Sequence, residues 1–119
     1  MMNQRQHLGK QGEEIAVRYL KSQGYQVLRE RYRVAQGEID IIATWGQTLV
    51  FIEVKTRTST AYGLPAEAVT YQKQGKIRQV AMAFLQEGNH KYNNFRFDVI
   101  SILMQGREKY QLDHIEGAF

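Results

Sequence analysis

The segment 37-GEIDIIATWGQTLVFIEVKTR-57 decides the fold. Two runs of branched apolar residues, Glu38 to Thr44 and Thr48 to Thr56, flank Trp45-Gly46-Gln47, and this pattern predicts a β-hairpin. Glu38 and Asp40 are two positions apart in the first run, as are Glu53 and Lys55 in the second, so each pair lies on one face of its predicted strand. The hairpin therefore combines a structural role with a cluster of charged side chains.

The length of the turn sets which charged residues face each other. A two-residue Gly46-Gln47 loop places Asp40 opposite Glu53 and Glu38 opposite Lys55. A four-residue loop gives the same register, whereas a loop shifted by one residue toward the N-terminus pairs Glu38 with Glu53. In the first register, three acids and a lysine share one face.

Facing carboxylates within apolar strands indicate a bound cation. Repulsion between Asp40 and Glu53 and the loss of their hydration both cost free energy, and a cation bound between them would offset that cost. Oxygen ligands without His or Cys favour Mg²⁺ or Mn²⁺. We therefore predict a Mg²⁺ (or Mn²⁺) site at Asp40 and Glu53, with Lys55 beside it. The alternative is a structural ion-pair cluster or a solvated strand face.

Working outward from the hairpin, hydrophobic periodicity predicts the other elements. The expected order is α-βββ-α-ββ, and the β-α-β unit after the hairpin places the fourth strand parallel to the third. This is an α/β fold with a mixed sheet flanked by helices. Outside the hairpin we expect a helix at Leu8–Gln23, a strand at Tyr25–Val34, a loop at Thr58–Pro65, a helix from about Ala66 to Glu87, and strands at Asn94–Met104 and Lys109–Ile115.

Length and composition fit one globular domain. The 119 residues predict a single domain over 1–119, with 1–7 as a flexible N-terminal segment. The absence of cysteine excludes disulfides, iron-sulfur clusters and thiolate zinc sites, and suits the cytoplasm. No stretch has the apolar length of a signal peptide or a membrane span, so we expect a soluble protein without a membrane partner. The net charge of +4 favours polyanionic partners.

The first predicted helix offers one more candidate ligand. Glu13 shares an angular sector with Ala16 and Leu20, whereas Glu14 projects toward water. Glu13 is therefore expected to face the site as a possible metal ligand. The alternative is a first-turn glutamate that complements the helix dipole.

Arginines near the hairpin are candidate phosphate contacts. Arg29, Arg31 and Arg33 alternate along the first strand, and Arg57 ends the third strand close to the metal site. The alternative for the first-strand arginines is a solvated edge that discourages pairing with other sheets.

Other charged residues are expected to lie outside the core site. We expect a solvated face on the second helix, formed by Lys73, Lys76 and Arg78. We expect Asp98 to be a hydrogen-bonded residue of a strand. The three histidines lack the spacing of metal ligands, so a histidine-based site is not supported.

The motifs G-x-x-G-E with A-x-x-Y-L behind it, then G-E-I-D-I-I-A and F-I-E-V-K-T-R, resemble the YraN-like family of uncharacterised small bacterial proteins. The chain is more distantly similar to archaeal Holliday junction resolvases, and through them to the restriction-endonuclease-like PD-(D/E)xK superfamily. The resemblance covers nearly the whole chain. It implies that Asp40 and Glu53 are metal ligands, that Lys55 is the catalytic lysine, and that Glu13 is the helix-one acid often found beside them.

These residues predict a Mg²⁺-dependent phosphodiesterase or nuclease acting on DNA or another structured nucleic acid. Lys55 lies beside acids that favour its charged form, so we expect it to orient the attacking water or stabilise phosphate charge. The alternatives are a non-catalytic nucleic-acid-binding domain of the same fold and a protein-interaction module with a structural acid cluster. Cleavage of a symmetric junction would require paired active sites and hence a homodimer.

Overall fold

The computed structural model describes residues 2–58, 69–88 and 91–119. A five-stranded mixed sheet carries one helix on each face, as the α/β prediction requires. The elements follow the predicted α-βββ-α-ββ order: α1 (Gln4–Ser22), β1 (Gln26–Val34), β2 (Gly37–Trp45), β3 (Thr48–Arg57), α2 (Tyr71–Gln86), β4 (Asn94–Met104) and β5 (Tyr110–Ile115).

The spatial order of the strands equals their order in the chain. β1, β2 and β3 form an antiparallel meander, β4 lies parallel to β3, and β5 returns antiparallel to β4. The parallel β3–β4 pair confirms the predicted β-α-β unit, because α2 connects these two strands.

The central hairpin has the predicted register. Trp45 pairs with Thr48, and the pairing continues to Ile41 opposite Ile52. Gly46 has a φ of +59°, which suits the first position of a two-residue hairpin loop. The pairing of β2 with β3 ends at Ile41 and Ile52, so the next residues toward the open end of the hairpin lie where the two strands part.

Each face of the sheet has its own apolar core. Leu20 of α1 belongs to the core that includes Ile52, and Phe84 of α2 belongs to the core that includes Phe51. All four side chains are almost completely buried. Successive residues of β3 thus anchor opposite helices, and both helices are held against the strand that carries the candidate site.

The first helix begins earlier than the apolar pattern predicts. Asn3 and Gln6 form a capping box, in which each side chain accepts a hydrogen bond from the backbone N–H of the other residue. The helix therefore extends to Gln4, into the segment that was expected to be flexible. The cap stabilises this polar first turn, which has no apolar residue to mark it.

The start of the second helix differs from the prediction. Most of the loop expected at Thr58–Pro65, and the helix start expected at Ala66, fall in 59–68, outside the described residues. The described helix begins at Tyr71, because the side chain of Thr70 accepts the backbone N–H of Lys73 as an N-cap. Among the described residues, no helix combines the length and apolar character needed to span a membrane.

Candidate functional site

Asp40 lies where β2 and β3 part. Its Oδ2 accepts the backbone N–H of Val54 at 2.8 Å, so a side chain takes the place of a backbone acceptor between the strands. Burial, followed by repulsion from the Glu53 carboxylate, raises the pKa of Asp40 to about 8, although the Val54 N–H acts in the opposite direction. The described strand pairing ends one residue before Asp40 and Glu53, at Ile41 and Ile52, and the two carboxylates still interact across the point where the strands part.

Two further acids approach Asp40. One carboxylate oxygen from each of Glu13, Glu38 and Asp40 lies within 4.8 Å of the others, and all three residues are partly buried. Glu53 is 8% exposed on the neighbouring strand. The structure therefore brings two of the predicted ligands, Glu13 and Asp40, together with Glu38, while the third, Glu53, interacts with Asp40 but is not part of this group.

A close helix–strand contact explains how Glu13 reaches the site. A Cβ built on Gly12 would lie 1.7 Å from Oγ1 of Thr56, so only glycine permits this approach of α1 to β3. Glu13 follows immediately in the helix. Its neighbours Ala16 and Leu20 are fully buried, as the helical pattern predicts, while Glu14 is exposed.

Two arginines of β1 pair with the site acids. Arg31 Nε lies 2.7 Å from Glu13 Oε2, and Arg33 Nε lies 2.6 Å from Glu38 Oε2. Arg31 has a φ of +52°, a conformation that is uncommon for a residue with a side chain. In this structure both arginines are exposed on the edge strand, as the solvated-edge alternative expects, and each also pairs with a carboxylate.

The other two predicted arginines have described contacts with uncharged side chains. The guanidinium of Arg29 lies over the ring of Phe84, 5.8 Å from its centroid. Arg57 donates a 3.5 Å hydrogen bond to Oγ of Ser101 on β4. A phosphate-binding role for Arg29, Arg31, Arg33 or Arg57 stays a prediction.

Lys55 is half-buried beside Glu53, with Nζ 3.8 Å from Oε1. Its pKa is lowered, first by burial and then by Lys73, and these effects outweigh the attraction of Glu53 and Asp40. The acids favour the charged form of Lys55, as predicted, but their effect is smaller than the combined effect of burial and Lys73. The position beside the paired carboxylates is as predicted.

Lys73 belongs to the site, contrary to the prediction of a solvated face. Its Nζ donates a hydrogen bond to Glu53 Oε1 at 3.3 Å. Burial acts to lower its pKa, but the nearby Glu53 and Asp40 carboxylates outweigh that effect and raise it. The helical pattern of α2 could not reveal this contact, because it depends on where α2 packs on β3.

A cavity of about 260 Å³ lies beside these groups. It opens between the start of β2, the middle of β3 and the first two turns of α2. The described residues that line it are Gln36, Gly37, Glu38, Asp40, Glu53, Lys73, Lys76 and Ile77. Lys76, also predicted to lie outside the site, thus shares a wall with Lys73.

A second polar network lies on the α1 face of the sheet. Asp98 is fully buried, binds Arg96 at 2.9 Å and His114 at 2.7 Å, and accepts the backbone N–H of Gly117. Burial acts to raise the pKa of Asp98, but these hydrogen bonds outweigh it and lower the pKa. The prediction of a hydrogen-bonded strand residue is confirmed. The contact of His114 with Tyr19, at 2.9 Å, was not predicted.

The model of the uncharacterised protein family UPF0102 matches residues 12–102 of the chain, a range that contains all of the candidate metal ligands. The chain belongs to this family. A UPF0102 protein of Alkaliphilus oremlandii (strain OhILAs) is 47% identical over 114 residues, covering 94% of this chain and 97% of that protein. A UPF0102 protein of Rhodococcus opacus (strain B4) is 43% identical over 112 residues, covering 94% of this chain and 95% of that protein.

A third relative extends the match to the chain ends. The UPF0102 protein of Caldicellulosiruptor saccharolyticus is 44% identical over 119 residues, covering 99% of this chain and 100% of that protein. The YraN-like resemblance is thereby confirmed at the level of the UPF0102 family. The cluster of Glu13, Glu38 and Asp40 and the neighbouring Glu53 all lie inside the range that the family model matches.

Proposed function

We propose that this UPF0102 protein is a phosphodiesterase that uses a divalent metal ion to cleave nucleic acid. The observation that carries the proposal is the convergence of Glu13 and Asp40, whose carboxylate oxygens lie within 4.8 Å of each other, beside Glu53 and Lys55. Three elements supply these groups, so the fold itself assembles them. The E-x-K pair on β3 places an acid and a lysine on one strand face.

The donor set fits a hard divalent cation. The pKa of Asp40 is raised because the carboxylate is buried and is repelled by Glu53. A cation bound to both carboxylates would remove this repulsion. All candidate ligands are carboxylate oxygens, which suit Mg²⁺ or Mn²⁺. Asp40, Glu53 and Glu13 would hold the ion. When bound, it would polarise the phosphate and lower the pKa of an attacking water.

The remaining residues of the site position these groups and the substrate. The Val54 N–H fixes the carboxylate of Asp40, while Arg31 and Arg33 hold Glu13 and Glu38. Lys55 is placed to donate a hydrogen bond to a water or a phosphate oxygen. Because its pKa is lowered, it releases a proton more readily than a solvated lysine does.

We also propose a superfamily, a substrate, a cellular location and an oligomeric state for the protein. The α-βββ-α-ββ order together with G-E-I-D and E-V-K supports membership of the PD-(D/E)xK superfamily, and hence DNA as the substrate. The cysteine-free sequence supports a cytoplasmic location. A homodimer is proposed for the case of a symmetric substrate, which needs two active sites.

A cleavage panel tests the proposal. Single-stranded, duplex and branched DNA and RNA are incubated with Mg²⁺ or Mn²⁺ and the wild type, Asp40→Ala or Lys55→Ala. We expect metal-dependent cleavage of at least one substrate by the wild type, at least about 100-fold slower in both variants. Salt-sensitive binding without products would instead support a binding domain, and neither activity would support an interaction module.

A further inference from the structure

Glu53 is shared by two lysines, and the nearer one comes from α2. Nζ of Lys73 lies 3.3 Å from Glu53 Oε1, whereas Nζ of Lys55 lies 3.8 Å from the same oxygen. Lys73 keeps 40% of its side chain exposed, against 27% for Lys55. Lys55 is thus a fixed member of the strand face, and Lys73 reaches the same carboxylate from the rim.

The ammonium groups of Lys55 and Lys73 repel each other, and the negative charge of Glu53 offsets that repulsion. A divalent cation on Glu53 and Asp40 would neutralise that charge and repel both lysines. Lys55 lies on a strand, but Lys73 has a long, half-exposed side chain that lines the cavity. Metal binding would therefore displace Lys73 first.

The displaced side chain remains at a wall suited to an anion. Lys73 and Lys76 lie three residues apart, near the start of α2, and both line the 260 Å³ cavity. Before metal binding, the acidic wall of the same cavity, formed by Glu38, Asp40 and Glu53, disfavours a phosphate there. A cation on those acids reverses the sign of that wall, and the two lysines then face a cavity that accepts phosphate.

We propose that Lys73 is a displaceable counter-ion, which neutralises Glu53 in the metal-free protein and binds a nucleic-acid phosphate, together with Lys76, once a divalent cation occupies the acids. This inference rests on the proposed metal site and names one residue that couples the metal to the substrate. It predicts opposite effects of removing Lys73: tighter binding of metal and weaker binding of nucleic acid.

The test measures the two affinities separately. Mg²⁺ affinity is measured by calorimetry without nucleic acid. The affinity for fluorescein-labelled single-stranded DNA, and for the duplex of the same sequence, is measured in Ca²⁺ over a range of salt. The proteins are wild type, Lys73→Met, Lys73→Arg and the control Lys21→Met, an exposed lysine in the last turn of α1. Circular dichroism verifies that each one folds.

We expect Lys73→Met to bind Mg²⁺ about 3- to 10-fold tighter and DNA about 3- to 10-fold weaker, with a salt slope reduced by about one. Lys73→Arg should retain the DNA affinity and the slope, and Lys21→Met should match the wild type in both measurements. A purely structural Lys73 would not change the salt slope.

Two results would overturn the inference while leaving the metal site intact. One is a wild type that binds Mg²⁺ with the same affinity as Lys73→Met. The other is a Lys73→Met protein whose DNA affinity and salt slope equal those of Lys21→Met. A wild type that binds no Mg²⁺ at all would overturn the proposed function as well, so the two failures are distinguishable.

Discussion

Gly12 in α1 lies directly against Thr56 in β3, where a Cβ on the glycine would come within 1.7 Å of the threonine Oγ1. This contact fixes the distance between the helix and the central strand. Glu13 is the next residue of the helix, so the same contact determines how far its carboxylate reaches toward Asp40.

Gly12→Ala should therefore disturb both stability and metal binding. The added methyl must push α1 away from β3, at a cost of about 1–3 kcal/mol in the free energy of unfolding. Gly9→Ala is the matched control, since a Cβ at Gly9 has no neighbour within 4 Å among the described residues. Alanine there should stabilise the helix by about 0.5–1 kcal/mol. Urea denaturation measures the free energy of unfolding of both variants. Equal changes in Gly12→Ala and Gly9→Ala would contradict the close packing of Gly12 on Thr56.

Asp40 should make the metal-free protein less stable as the pH rises. Its folded pKa, about 8, lies above the ordinary value of 3.8, so its favourable contribution is complete below about pH 4 and is lost as pH approaches 8. Asp40→Asn lacks this loss and should be more stable than wild type by about 2 kcal/mol or more at pH 8.5. Urea denaturation in EDTA from pH 4 to 9 checks this. A pH-independent difference between the two proteins would contradict it.

The buried network around Asp98 should contribute stability without affecting the metal site. Asp98→Asn leaves Arg96 without its buried counter-charge and should cost about 3 kcal/mol. Because the folded pKa of Asp98 is lowered, its stabilisation is present above about pH 4 and is lost as pH falls through the folded pKa. The Asn variant should lack that acid-dependent loss.

Glu116→Gln is the control for this network. Glu116 also pairs with Arg96, at 2.9 Å, but its side chain is 59% exposed, so its removal should cost less than about 1 kcal/mol. Thermal or urea unfolding from pH 3 to 7 compares the two variants, and calorimetry compares their Mg²⁺ affinities. A weaker Mg²⁺ affinity in Asp98→Asn would show that the network supports the site.

Lys55→Met should separate chemistry from metal binding. We expect cleavage at least about 100-fold slower, because the group that orients water or phosphate is lost. The Mg²⁺ affinity should be nearly unchanged, since Lys55 is not a ligand. Lys21→Met serves as the control for removal of a lysine charge. Equal cleavage by wild type and Lys55→Met would remove Lys55 from the mechanism.

The hairpin and its charged face were predictable because they depend on local geometry. Gly46 permits a two-residue loop, and the loop then sets every pair up to Ile41 and Ile52. Glu13 was predictable for a similar reason, since helical spacing alone places it with the buried Ala16 and Leu20.

The partners of the charged groups were not predictable, because they come from distant elements. The contact of Lys73 with Glu53 depends on how α2 packs over β3, and the pairing of Arg31 with Glu13 joins β1 to α1. The effect of burial on Lys55 likewise required the packed structure. The early start at Gln4 was missed because its capping box lies in a polar segment.

The carboxylate metal site is tested by Mn²⁺ binding, measured by calorimetry at pH 8.5 with wild type, Asp40→Asn, Glu53→Gln and the control Glu14→Gln. Glu14 follows Glu13 in α1 and points toward solvent. We expect wild type and Glu14→Gln to bind Mn²⁺ with the same affinity, and Asp40→Asn and Glu53→Gln to bind it at least about 10-fold more weakly. Equal affinities in all four proteins, or no binding by the wild type, would contradict it.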